Sequence, residues 1–363
     1  MPDPQTQNIL DARPAERLEG MSLPDGWVVV KKVQAVQGKQ TGGHFSCGYI
    51  VEREGKRAFV KALDFSMAFQ ANDAAGDLFT LTSDYIFERD ILEICHQARM
   101  NRVIQVLGHG SVIVDASLPF GVGRVLYLIF ELADGDIRKH IAFENGVDLA
   151  WKLKVIQQIA VGVQQLHNKS IAHQDLKPSN VLLVEHLESK IADLGRAVTR
   201  LRASPHDGAQ IPGDTGYAPP EYLYGYNAAE WVDRRDACDL YLLGSLVVFM
   251  LVGVSMTHIL LRKLDKQYWP QILNGPWNGS FQDVLPFLLD GFALAMDDVT
   301  ANIPTELQPD VATAIRYMCH PDPHVRGHPN ARQQVGKPVG IDRFVSLFDR
   351  FSKRAEIKIR NLQ

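Results

Sequence analysis

The spacing of the apolar residues changes once along this chain, near residue 132, and that change restricts the fold more than any other feature. Before it, short β-type runs such as Val28-Val29-Val30, Tyr49-Ile50-Val51 and Ala58-Phe59-Val60 alternate with charged or Gly-rich turns. Residues 52–57 read as a hairpin connection, and 103–107 and 125–130 as two further strands. Residues 85–98 have helical spacing, with Ile86, Ile91, Leu92 and Ile94 on the apolar side. After residue 132 the pattern is mostly helical. It predicts a long amphipathic helix over 149–168, short apolar runs at 181–183 and 191–192, and helices near 221–224, 240–254, 284–295, 309–318 and 341–351. An α+β chain of two lobes follows, with a cleft between them as a common place for a ligand. The expected division is a tail or arm over 1–22, a small lobe over 23–132, a large lobe over 133–352 and a tail over 353–363.

Composition narrows the functional classes. A formal net charge of −4 over 363 residues provides no basic field, which argues against a dedicated nucleic-acid binder. The four cysteines, Cys47, Cys95, Cys238 and Cys319, form no C-x-x-C pair, which speaks against zinc and disulfides and for a reducing cytoplasm. The N-terminus has no apolar run of the leader kind. Residues 240–256 are apolar almost throughout, and two readings stand: a helix buried on all sides or a membrane span. Asp236 and Asp239 at its start, and the lack of aromatic or basic flanks, favour the buried helix.

The chemistry concentrates in His173-Gln174-Asp175-Leu176-Lys177-Pro178-Ser179-Asn180-Val181, followed by Asp193-Leu194-Gly195. A carboxylate that can accept a hydroxyl proton is followed two residues on by a cation able to steady a moving phosphoryl group. An amide and a second carboxylate then offer hard oxygen ligands for magnesium.

With these residues in that order, the chain resembles the eukaryotic-type protein kinase family over about residues 24–350. Lys61 in Ala58-Phe59-Val60-Lys61 matches the strand lysine of the nucleotide phosphates, and Glu88 matches the helix glutamate that holds it, with Glu93 as competitor. The resemblance implies a two-lobed protein kinase fold, with a small β-rich N-lobe carrying one key helix and a larger helical C-lobe. It implies that Asp175 orients the acceptor hydroxyl, Lys177 offsets charge, and Asn180 and Asp193 hold Mg. For ATP it implies contacts at Gly43, Phe45, Gly48, Phe59, Phe130, Glu131, Ala133 and Leu182, with Asp136 either a ribose contact or only a helix N-cap. Glu221, in the Pro-Pro-Glu end of an activation segment, would pair with Arg326, and Asp239 would support the catalytic loop. Lys177 two residues after the Asp resembles serine/threonine kinases, so a protein Ser/Thr substrate is implied, with no nucleic acid and no membrane insertion.

Several positions depart from the family. Thr41 and Ser46 replace glycines of the phosphate loop. Gly48 stands where the family has Val, and Phe59 where it has Ala, above the adenine. Phe59 is expected to fill the space vacated at Gly48, the rival being that it blocks adenine. Gln174 replaces an arginine that commonly binds a loop phosphate, leaving phosphorylation at Thr199, Ser204 or Thr215 less leverage. Asp214 replaces a threonine near Asp175 and Lys177. Three functions therefore compete: a serine/threonine kinase, a pseudokinase acting as a binding or scaffolding module, and a small-molecule kinase.

Overall fold

A computed structural model describes residues 13–33, 46–118, 123–143, 148–186 and 188–362. The chain divides into two compact units at Asp134/Gly135. The first carries strands β1 (Val28–Lys32), β2 (Ser46–Arg53) and β3 (Lys56–Leu63), helix α1 (Ala74–Gln97), and strands β4 (Val106–Ile113) and β5 (Arg124–Glu131). The strands form one antiparallel sheet in the order β1-β2-β3-β5-β4.

Alternation along these strands sorts the side chains between the two faces of the sheet. Tyr49, Val51, Ala58, Val60, Ala62, Tyr127 and Ile129 point into the core of this unit, where Ala15, Leu18, Leu23 and Trp27 cover them. Tyr49 Oη donates to the Ala15 carbonyl at 2.7 Å. From Ala15 onward, the stretch expected to be an arm is thus part of the packed body. On the opposite face, register sets Gly48 across from Lys61 and Phe59 across from both Ile50 and Phe130.

Helix α1 and strand β4 depart from their sequence-based starts. Helix α1 starts at Ala74, capped by Asp73, whose carboxylate accepts the Gly76 N–H at 2.9 Å. Its first turns bury little, with Phe79 75% exposed, so they carry no apolar stripe to read. Further on, Phe87, Ile91, Leu92 and Cys95 are buried, whereas Ile86, expected on that side, is exposed. Strand β4 begins at Val106 rather than 103, because Gly108, His109 and Gly110 hide a strand that pairing with β5 enforces.

The second unit opens with β6 (Gly135–Asp136), α2 (Ile137–Phe143) and α3 (Leu149–His167). Strands β7 (Ile171–Ala172), β8 (Val181–Val184), β9 (Glu188–Ile191) and β10 (Val198–Thr199) follow, paired as β6-β8-β9 and β10-β7. Then come helices α4 (Pro220–Leu223), α5 (Ala237–Val252), α6 (Met256–Lys263), α7 (Phe281–Thr300), α8 (Gln308–Met318), α9 (Pro329–Arg332) and α10 (Ile341–Leu362).

Helix α5 is buried on nearly every side, which accounts for its apolar sequence. Gly253, at φ 85, ends it as a left-handed C-terminal cap, so the apolar run splits and α6 starts after the Ser255 cap. Among the described residues no single helix is long and apolar enough to cross a membrane. The segment Val232–Val252 plus α6 reaches that length only with an 83° bend. Helix α10 packs along α3 and runs through the expected C-terminal tail, with Ala355 still buried.

Candidate active site

Each unit carries its own group of the expected residues. In the first, Lys61 Nζ donates to both Glu88 oxygens, at 3.0 and 2.9 Å. Glu88 is 8% exposed at its side chain, so the ammonium is held by a carboxylate that has little water to turn to. The competitor Glu93 instead accepts from Gln97 Nε2 at 3.1 Å, on the exposed side of the helix. The pair exists because β3 directs Lys61 to the face opposite the core while α1 buries the side of the helix that bears Glu88.

The same face shows what the Gly48 and Phe59 exchange does. A Cβ placed on Gly48 would lie 2.9 Å from Cε2 and Cζ of Phe59. Carbon pairs normally approach to about 3.5–4.0 Å, so the ring stands in the space a side chain at 48 would use. Phe130 is buried directly across from Phe59, and Ala133 is half-buried. Glu131 spends its side chain on structure: its Oε1 accepts the Gln105 N–H at 2.8 Å and its own N–H donates to the Gln105 carbonyl at 3.0 Å. Gly43 and Phe45 lie outside the described residues.

In the second unit Asp175 is the hub. Its Oδ1 accepts the Asp214 N–H at 2.8 Å, and its Oδ2 lies 3.1 Å from Lys177 Nζ and 3.2 Å from Asn180 Nδ2. Burial pushes its carboxyl above the ordinary range, against the pull of Lys177 and His173. Gly213 makes the approach of residues 213–214 possible: a Cβ there would lie 2.6 Å from Asp175 Oδ1 and from the Gln174 carbonyl oxygen.

Asn180 and Asp193 test the expected metal. Nδ2 of Asn180 is committed to the Asp175 carbonyl at 2.8 Å, which turns Oδ1 to the other side of the amide. Oδ1 accepts from Ser179 Oγ at 3.2 Å and keeps a second lone pair. Asp193 follows closely in space, since Val181 pairs with Ile191 and the Ala192 N–H donates to the Asn180 carbonyl at 2.9 Å. An amide oxygen and a carboxylate fit magnesium, which takes few protein ligands and shares the rest with phosphates and water. Gln174 and Asp193, with φ of 63 and 61, are non-glycine residues in the left-handed region, the kind of outlier that concentrates at functional sites. Asp136 sits opposite Leu182 in β8. Its Oδ1 accepts the Arg138 N–H at 2.9 Å, the capping geometry, and its carboxylate also holds the Arg138 guanidinium.

Behind the loop, the buried Asp239 carboxylate accepts the His173 and Gln174 N–H groups, at 2.7 and 2.8 Å. His167 Nε2 adds a contact at 2.9 Å and Gln174 Nε2 another at 3.0 Å. Burial opposes charge on both members, yet their hydrogen bond and the surrounding charges outweigh it. Asp239 is held below the usual carboxylate range and His167 above the usual imidazole range. Glu221 and Arg326 form two bonds of 2.6 and 2.7 Å with almost no exposure.

Gln174, expected to leave a loop phosphate less leverage, is itself fully engaged. Its Oε1 accepts from Arg235 Nη1 at 3.1 Å and from Tyr222 Oη at 3.2 Å, while Arg235 Nη2 donates to the Asp207 carbonyl at 3.0 Å. Sequence reasoning singled out neither Arg235 nor His167. Arg235 lies in a charged run just ahead of α5, and its burial to 1% has no signature in that run. The hydroxyls considered for phosphorylation are partly withdrawn: Thr199 and Ser204 are buried, and Ser204 Oγ donates to the Ala197 carbonyl at 3.1 Å.

Comparison with known proteins adds the lineage. The family model described as the protein kinase domain matches residues 85–335. A leucine-rich repeat receptor-like serine/threonine-protein kinase of Arabidopsis thaliana is 32% identical over 158 residues, 40% of this chain and 16% of its own. The calmodulin-binding receptor-like cytoplasmic kinase 2 of the same plant is 35% identical over 132 residues, 34% of this chain and 30% of its own. A receptor-like protein kinase, also from Arabidopsis thaliana, is 34% identical over 130 residues, 34% of this chain and 14% of its own. The matched stretch thus spans less than a third of each of these relatives.

Proposed function

The chain belongs to the protein kinase domain family, of the serine/threonine type, and on that premise we propose that it transfers the γ-phosphoryl group of ATP to serine or threonine hydroxyls of a protein substrate. The observation that carries this reading is the arrangement at Asp175, whose buried carboxylate is bonded to Lys177, Asn180 and the Asp214 N–H. In the reaction, the acceptor oxygen forms a bond to the γ-phosphorus, the bond from that phosphorus to the β–γ bridging oxygen breaks, and ADP leaves. Asp175 aligns the hydroxyl and takes its proton as the new bond forms. Lys177, 3.1 Å from Asp175, offsets charge on the group in transit. Lys61, steered by Glu88, contacts the nucleotide phosphates. Magnesium, when held by Asn180 and Asp193, supplies charge neutralisation at the phosphates. The family resemblance supports assigning Phe59, Phe130 and Ala133 in the first unit, and Leu182 in the second, to nucleotide contacts, whereas the Asp136 geometry favours capping α2 over a ribose contact. The four cysteines, all free thiols, support a place in the reducing cytoplasm.

Incubation with γ-labelled ATP, magnesium and a mixed protein acceptor tests the proposal, beside Asp175→Ala and Asp193→Ala. Label on serine or threonine that vanishes in both variants is the expected result. Absence of nucleotide binding would replace the proposal with a pseudokinase in which Phe59 closes the adenine site. Label only on small molecules would make the chain a small-molecule kinase.

A further inference from the structure

We propose that Asp214 is a specificity-determining residue that selects acceptor segments carrying a lysine or arginine directly beside the phosphorylated hydroxyl. The inference rests on the phosphotransfer reading of Asp175 given above. Asp214 is tied to the catalytic group by its own backbone, since its N–H donates to Asp175 Oδ1 at 2.8 Å. Its carboxylate is oriented from both ends. Oδ1 accepts the Gly216 N–H at 2.8 Å, and Oδ2 faces Lys177 Nζ at 3.5 Å. The absence of a Cβ at Gly213 lets this backbone lie directly against Asp175, so the carboxylate is anchored at the acceptor position.

Charge counting gives the sign. Lys177 lies between two carboxylates, Asp175 at 3.1 Å and Asp214 at 3.5 Å, so the three groups together carry one excess negative charge. Arg138, the cation that acts on neighbouring Tyr217, is already paired with Asp136 at 2.9 Å. Exposure shows where that surplus is felt. The Asp214 side chain is 36% exposed, against 8% for Asp175 and 11% for Lys177. An arriving segment therefore meets the Asp214 carboxylate while the other two stay beneath it. The threonine expected at this position would offer a hydroxyl and no charge. A cation on the segment near a partly screened carboxylate is favoured, and an acidic residue there disfavoured, by a combined factor of roughly tenfold in kcat/KM.

The test measures kcat/KM of the full chain on paired peptides that share one acceptor serine and carry either lysine or glutamate at the positions flanking it. Wild type is expected to prefer the lysine peptide by roughly tenfold at low salt, the ratio shrinking as ionic strength rises. Asp214→Asn keeps the size and the acceptor for Gly216, and Asp214→Thr restores the family's residue. Both are expected to bring the ratio close to one, whatever happens to the absolute rate. A wild-type ratio near one, or a ratio retained in both variants, overturns the assignment while the phosphotransfer reading stands. Failure to label any peptide or protein serine or threonine overturns both.

Discussion

The close fit of Phe59 against Gly48 makes a quantitative prediction about two substitutions and their combination. A Cβ at position 48 would lie 2.9 Å from two ring carbons of Phe59 and 3.6 Å from Val33 Cβ. Relative to an ordinary contact the ring is too close by at least ~0.5 Å. Gly48→Val must therefore displace the ring, at a cost of about 1–3 kcal/mol, the range for overpacking. Phe59→Ala removes a half-buried ring and is expected to cost about 2 kcal/mol, below the range for a fully buried phenylalanine. The two losses should not add, because valine in the double variant enters the space the ring has left. A coupling of about 1–3 kcal/mol in favour of the double variant is expected from urea unfolding of the four proteins. Additivity within about 0.5 kcal/mol would show that the ring does not occupy that space. Titration of the same proteins with ATP completes the argument: Phe59→Ala should change nucleotide affinity by less than about tenfold, a shift of ~1.4 kcal/mol. A rise from undetectable to ordinary affinity would show that Phe59 is a plug and refute the fit as a reshaped adenine roof.

Three further outcomes follow from the second unit. Arg326→Ala should destabilise the protein by about 3–5 kcal/mol, because Glu221 would be left buried with an unpaired charge, and thermal unfolding measures it. His167 has its pKa raised in the folded state by Asp239, so its contribution is complete below about pH 6.5 and is lost as pH rises through the folded value. Denaturant unfolding at a series of pH values should show that loss in the wild type and not in His167→Asn. Because burial raises the Asp175 carboxyl, the acid limb of the phosphotransfer rate should fall at a pH above that of an ordinary carboxylate. A pH–rate profile that stays level down to the ordinary carboxylate range would contradict that role.

What the sequence made legible depended on how far apart the cooperating groups lie. Asp175, Lys177 and Asn180 are close in the chain and close in space, so their spacing alone suggested the chemistry. Glu221 and Arg326 are 105 positions apart, and Lys61 and Glu88 lie on different elements, so these pairs depended on the family resemblance. Phe59 against Gly48 was readable as a volume exchange, because two departures with opposite changes in bulk sit on neighbouring strands. Arg235 was not readable. Its neighbours are charged, and only the fold buries it against Gln174 and Asp207. The first turns of α1 and the packing of Ala15 and Leu18 escaped for a related reason: the first has no apolar stripe, and the second is too short to show a period. The apolar run at 240–256 pointed to a buried helix, but the break at Gly253 is a matter of backbone conformation.

The most direct test of the account separates binding from chemistry at Asp175. Asp175→Asn keeps the shape and much of the hydrogen bonding around Lys177 and Asn180 but cannot take the acceptor proton. Single-turnover transfer from γ-labelled ATP to protein serine or threonine should fall by about 10²–10⁴-fold in this variant, the range for losing a positioned base. Nucleotide affinity measured on the same sample should remain within a few-fold, about 1 kcal/mol. Equal transfer rates in wild type and Asp175→Asn would contradict the central claim.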